Sequence, residues 1–140
     1  MPNTYTDRDK YGKYSIEIEN RILMVTVSGA LGKGLTNKYT QNLYAAVEQL
    51  EDKPWAYLAN ALQFEALTND GLNYLTESFQ YCMQHNCVAD AYCMTSSLAI
   101  NQADRIRRQF GAKDDIQQRL FSEVNSAKVF LNQYLEQLKK

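Results

Sequence analysis

A hydrophobic period that switches from two to between three and four, and back again, constrains this chain more than any other feature. Ile16 and Ile18 alternate with polar neighbours across residues 14–19, residues 22–27 are apolar and β-branched, and Asn20-Arg21 lies between them. That pattern predicts a β-hairpin. Three glycines follow within residues 28–34, and then Leu35, Tyr39, Leu43, Ala46, Val47 and Leu50 recur at the spacing of one helix face. Asp52, Lys53 and Pro54 end this helix, and residues 55–60 read as a third strand.

The second half repeats the switch. Thr68, Asn69 and Asp70 are capping residues, behind which Leu72, Leu75, Phe79 and Cys82 stripe a helix that ends near Asn86. Residues 61–67 are assigned to no element by this pattern. Residues 88–95 predict a fourth strand, and Ser96-Ser97 opens a helix with Ala99, Ala103, Ile106 and Phe110 inward and Gly111 as its stop. Ile116, Gln118 and Leu120 alternate as a fifth strand, and Ser122 caps a last helix striped by Ala127, Leu131 and Leu135. The order ββαβαβαβα predicts an α/β fold, a mixed, mostly parallel sheet of about five strands with about four helices. Residues 14–140 form the single domain expected, and residues 1–13 a polar tail dispensable to it.

Charge and cysteine content narrow the function. Fifteen Lys and Arg against sixteen Asp and Glu give a net charge of -1, which offers no general attraction for nucleic acid. Residues 1–13 contain no apolar stretch of a secretory leader, and the apolar run at 22–27 is far below the roughly 20 residues of a membrane span. Three cysteines, Cys82, Cys87 and Cys93, suit free thiols in a cytoplasmic protein better than a disulfide framework.

The order of elements resembles the STAS superfamily of anti-sigma-factor antagonists, in particular its SpoIIAA-like bacterial branch, which is related in structure to CRAL-TRIO lipid-binding domains. The resemblance spans residues 14–138 and is carried by Ala56-Tyr57-Leu58-Ala59-Asn60 with Leu67-Thr68-Asn69-Asp70-Gly71-Leu72, and by Leu120-Phe121-Ser122-Glu123 with Ala127, Phe130 and Leu131. It implies a regulatory, protein-binding module whose surface centres on residues 66–72 and the second helix. Regulatory members carry a phosphorylatable serine in a pattern reading Asp-Ser-Ser-Gly-Leu. Aligned on Gly71 and Leu72, Asn69 takes that position and cannot accept a phosphate. Thr68 keeps a hydroxyl next door, where helix capping is its simpler role.

No set of residues marks an enzyme. Residues 29–34, Gly-Ala-Leu-Gly-Lys-Gly, look like a phosphate loop, but the spacing between the first glycine and Gly-Lys is too short and no Ser or Thr follows the lysine. Cys82, His85 and Cys87 fall short of the four ligands of structural zinc, and His85 is the only histidine, so neither metal nor cofactor is expected. A nucleophile would depend on that same His85 as its base. Glu51-Asp52 and Asp114-Asp115 read as solvated turn residues, and Arg105, Arg107, Arg108, Lys113 and Arg119 as an exposed helix face mixed with acidic residues. Tyr39, Tyr57 and Tyr92 lie on half-buried elements, where they complete the core or line a pocket. The expected binding residues are therefore Thr68, Asn69, Asp70, Gly71, Tyr57 and Tyr92, and the expected partner is a protein or, alternatively, a hydrophobic small molecule or lipid. The second alternative requires an apolar cavity between helices and sheet, and an exposed apolar helix face would support a homodimer.

Overall fold

Which strands are apolar on both faces is explained by where the helices sit. The computed structural model describes residues 4–67 and 69–139, and their side chains except those of residues 66–71. Five strands form one sheet in sequence order: β1 (Thr4–Arg8), β2 (Gly12–Glu19), β3 (Ile22–Leu31), β4 (Trp55–Leu67) and β5 (Cys87–Met94). β1, β2 and β3 pair antiparallel, whereas β3, β4 and β5 run parallel. Helices α1 (Lys33–Glu48), α2 (Asn69–Gln84) and α3 (Ser97–Gln109) pack on one face, and α4 (Val124–Leu138) covers the other. β2 lies outside the reach of α4's core, so Tyr14 and Ile16 are buried while Lys13 and Glu17 face outward. β3 and β4 are sandwiched, with Leu23 and Trp55 toward α1 and α2 and with Ile22, Ala56 and Leu58 toward α4.

The α/β class, the mixed five-stranded sheet and the four helices agree with the expectation from sequence, but two segments exchange roles. Thr4–Arg8, read as tail, is an edge strand whose Tyr5 packs on the core and accepts a hydrogen bond from Gln49 Nε2 at 3.1 Å. Residues 116–120, read as a strand, form a 3-10 helix (Ile116–Arg119), and only Leu120 makes a parallel bridge, to Tyr92. The sheet is therefore divided evenly between antiparallel and parallel pairings rather than mostly parallel. Residues 61–67 continue β4 alongside residues 28–31 of β3.

Local punctuation largely follows the residue types. Asn20 takes the left-handed conformation, φ 57°, in the β2–β3 turn, a state that asparagine tolerates. Ser96 caps α3 by accepting from the Ala99 amide at 3.2 Å. Gly111, φ 91°, closes α3 in a Schellman motif, its amide bonding the Arg108 carbonyl and that of Ala112 the Arg107 carbonyl. The N-cap of α4 is Glu123 rather than Ser122.

β1 gives a first expected result. Removing residues 1–8 exposes the β2 edge and the half-buried Tyr5 contact, which should cost about 1–2 kcal/mol. Urea unfolding of the truncated chain measures this, and light scattering should show increased self-association.

Candidate functional site

Parallel register sets Tyr57 opposite Asp90 and Ala59 opposite Tyr92, so all four side chains share the sheet face under α1–α3. A cavity of about 220 Å³ lies between this face and the three helices. Small side chains, Ala59 and Ala61 on β4 and Ala103 on α3, leave the space, while Val25, Leu31, Phe64 and Leu75 give it a largely apolar wall. Met83 of α2, 48% exposed, lies on its rim.

A row of phenols crosses the cavity. The Tyr39 and Tyr57 hydroxyls are 3.3 Å apart, the Tyr57 and Tyr92 ring centroids 6.2 Å apart, and Tyr92 donates to Asp90 Oδ2 at 2.7 Å. Burial pushes all three phenols well above their ordinary range, so they are neutral hydrogen-bonding groups. Both of the tyrosines singled out as binding residues thus line the cavity, together with Tyr39.

The cavity's polar end is ionic but neutral in sum. Arg107, 3% exposed, donates from Nε to Asp90 Oδ2 at 2.7 Å and from Nη2 to Asp114 Oδ1 at 3.0 Å. Arg119 Nε donates to Asp114 Oδ2 at 2.6 Å, and its Nη1 to the Asp90 carbonyl at 3.2 Å. Burial alone would raise the Asp114 carboxyl, but the hydrogen bonds and charges of Arg119 and Arg107 hold it below its ordinary value. This corrects two expectations from sequence. Asp114 is a partner of two arginines rather than a solvated turn residue, and Arg107 and Arg119 point inward while Arg108 pairs with Asp104 at 2.9 Å. Asp90 gave one overlooked signal, a carboxylate in the apolar strand Val-Ala-Asp-Ala-Tyr, which has to be paired if it is buried.

The remaining chemistry-bearing candidates take structural positions. Gly29 belongs to β3, and Gly32 is the N-cap of α1, so residues 29–34 are not one loop around an anion. Cys82 and Cys87 are buried, and burial alone pushes the Cys82 thiol up to about 12. His85 stacks on Tyr81, with ring centroids 4.0 Å apart, and pairs through Nδ1 with Glu51. Glu51 is thus a side-chain partner of His85 rather than a simple turn residue. Neutral phenols, protonated thiols and matched ion pairs suit this site to binding rather than to proton transfer near neutral pH.

Thr68 lies outside the described residues, as do the side chains of Asn69, Asp70 and Gly71, whose backbone opens α2. No helix among the described residues is long and apolar enough to cross a membrane.

No protein-family model and no curated protein sequence matches the chain. Among solved structures it is similar to the crystal structure of an anti-sigma factor antagonist from Mycobacterium paratuberculosis. The two share 14% identity with a TM-score of 0.58, over 92% of this chain and 94% of the other. At that identity the likeness speaks for the fold alone, and the chain shares its α/β fold with that anti-sigma factor antagonist, as the resemblance read from the sequence implies.

Proposed function

We propose that the chain is a non-enzymatic, cytoplasmic regulatory domain that binds a protein partner through residues 66–72 and the rest of α2, without a phosphoserine switch. The observation that carries this reading is a fold shared over nearly the whole of both chains with an anti-sigma factor antagonist. Asn69, at the position where the family's pattern holds the phosphorylated serine, supports the loss of the switch. Affinity capture from the source lysate with the wild-type chain and with Asn69→Arg tests it. One protein captured in stoichiometric amount by the wild type and lost from the variant is the expected outcome. Equal capture by both places the contact elsewhere.

The cavity favours a second reading, that the domain takes up an apolar small molecule between the sheet and α1–α3. Native mass spectrometry of the purified protein should then show a retained mass, removable by organic extraction. Extraction that returns nothing from freshly purified protein counts against it.

A further inference from the structure

One hydroxyl on the cavity wall breaks the pattern set by its neighbours. Thr40, Thr76 and Ser78 each donate to the backbone carbonyl four residues earlier in their helix, at 2.8 to 2.9 Å. Thr36, one turn before Thr40 on α1, is 1% exposed and lines the cavity, yet its Oγ1 has no hydrogen-bond partner among the described residues. Buried hydroxyls without partners are uncommon in folded proteins, and each such group calls for an account. Here the same helices satisfy three comparable hydroxyls internally, including that of Ser78, which also lines the cavity, and leave the Thr36 hydroxyl unpaired.

The other polar groups around the cavity restrict what could meet that hydroxyl. Arg107 and Arg119 are committed to Asp90 and Asp114, so the ionic end has no surplus positive charge for an anion. Tyr39 and Tyr57 are neutral phenols bonded to each other. Size restricts it further. A dry apolar cavity of about 150 Å³ accepts benzene, so about 220 Å³ accommodates roughly nine non-hydrogen atoms. A long acyl chain is too large.

We propose that the cavity binds a small, uncharged, mostly apolar molecule carrying one hydroxyl or carbonyl group, which pairs with Thr36 Oγ1. This rests on the second reading above and names the ligand class and its anchor. The ring or short chain of the ligand packs on Val25, Leu31, Phe64 and Leu75, while its polar atom supplies the partner that Thr36 lacks.

The test uses p-cresol and toluene, which differ by one hydroxyl, with p-toluate as the anionic counterpart. Each is titrated into the full chain and followed by amide chemical shifts, for the wild type and for Thr36→Val. The ratio of toluene Kd to p-cresol Kd should fall about fivefold in Thr36→Val, the size expected for one neutral hydrogen bond. Thr36→Ser should keep the wild-type ratio, and Thr36→Ala gives the same reading as valine should the valine variant fail to fold. p-Toluate should bind at least tenfold more weakly than p-cresol, since its charge would be buried without a free countercharge, one hydroxyl being too little to offset it. An unchanged ratio with both neutral probes bound overturns the Thr36 anchor and leaves the cavity reading standing. Tighter binding of p-toluate than of p-cresol overturns the uncharged class. No shift with any probe at millimolar concentration overturns the cavity reading itself.

Discussion

Arg107→Ala should lower the unfolding free energy by about 3 kcal/mol, or the melting temperature by about 10 °C for a domain of this size. The guanidinium is almost wholly enclosed and holds two carboxylates at once, Asp90 at 2.7 Å and Asp114 at 3.0 Å. Truncation leaves both carboxylates facing Arg119 alone, and an uncompensated buried charge costs more than the intact pair contributes. The lower end of the 3–5 kcal/mol range usual for such losses applies here, because Arg119 stays bonded to Asp114 and to the Asp90 carbonyl. Arg107→Lys keeps the charge but loses the planar fork, so it should recover only part of the difference. The sign of the pH dependence follows from Asp114. Its carboxyl is held below its ordinary value in the folded chain, so its contribution is present above the unfolded pKa of about 3.9 and is lost as pH falls through the folded value. Urea unfolding at pH 7 and pH 3 should therefore show the gap between wild type and variant narrowing in acid. A loss under 1 kcal/mol at pH 7 would mean that the four charges are a surface arrangement without structural weight.

This network also shows where sequence reading stops. Stripes of helical period locate α1, α3 and α4 because each buries one continuous face, and Ser96 and Gly111 mark the ends of α3 through chemistry confined to a few residues. The inward turn of Arg107 depends instead on Asp90, seventeen positions away on β5, and a charge among Asp104, Arg105 and Arg108 looks like an exposed face until the strand is placed. Thr4–Arg8 is not legible as a strand because an edge strand with one face in solvent needs a single apolar side chain, Tyr5, and so shows almost no period. Residues 116–120 misled for the same reason. Ile116 and Leu120 are the only apolar positions there, and Ile116 alone is fully buried, with Asp115 capping the 3-10 turn through the Gln117 amide at 2.9 Å. Of the candidate site, Tyr57 and Tyr92 were legible as half-buried aromatics, whereas the space between them and the helices was not. It arises from alanines of β4 and α3 meeting across elements, a coincidence of three-dimensional packing that no one segment encodes.

Gly29→Ala should cost about 3 kcal/mol, and Gly34→Ala, five positions on, should be neutral or stabilising by up to about 1 kcal/mol. The two glycines sit in what reads as one flexible segment, yet they meet opposite constraints. Gly29 has φ 73°, and a Cβ there would lie 2.3 Å from the Tyr11 carbonyl oxygen and 3.0 Å from the Gly12 Cα. It faces Gly12 across the β2–β3 pairing, where the Ala30 amide bonds the Tyr11 carbonyl at 3.1 Å. The left-handed backbone accounts for about 1–2 kcal/mol of the expected loss, and pushing two hydrogen-bonded strands apart for the rest. Gly34 lies in the first turn of α1 with nothing within 4 Å of an added Cβ, so alanine there chiefly reduces the freedom of the unfolded chain. The site feels the difference as well. The register of β3 shifts between Gly29 and Ala30, just before Leu31 and the helix that carries Thr36 into the cavity wall. Thermal melts of the two variants, with p-cresol titrated into each, measure both effects. Loss of stability and of p-cresol affinity in Gly29→Ala, with neither in Gly34→Ala, is the outcome expected if residues 29–34 set the strand and helix around a cavity. A phosphate loop would give another result, weakened inorganic phosphate binding in both variants with little change in stability.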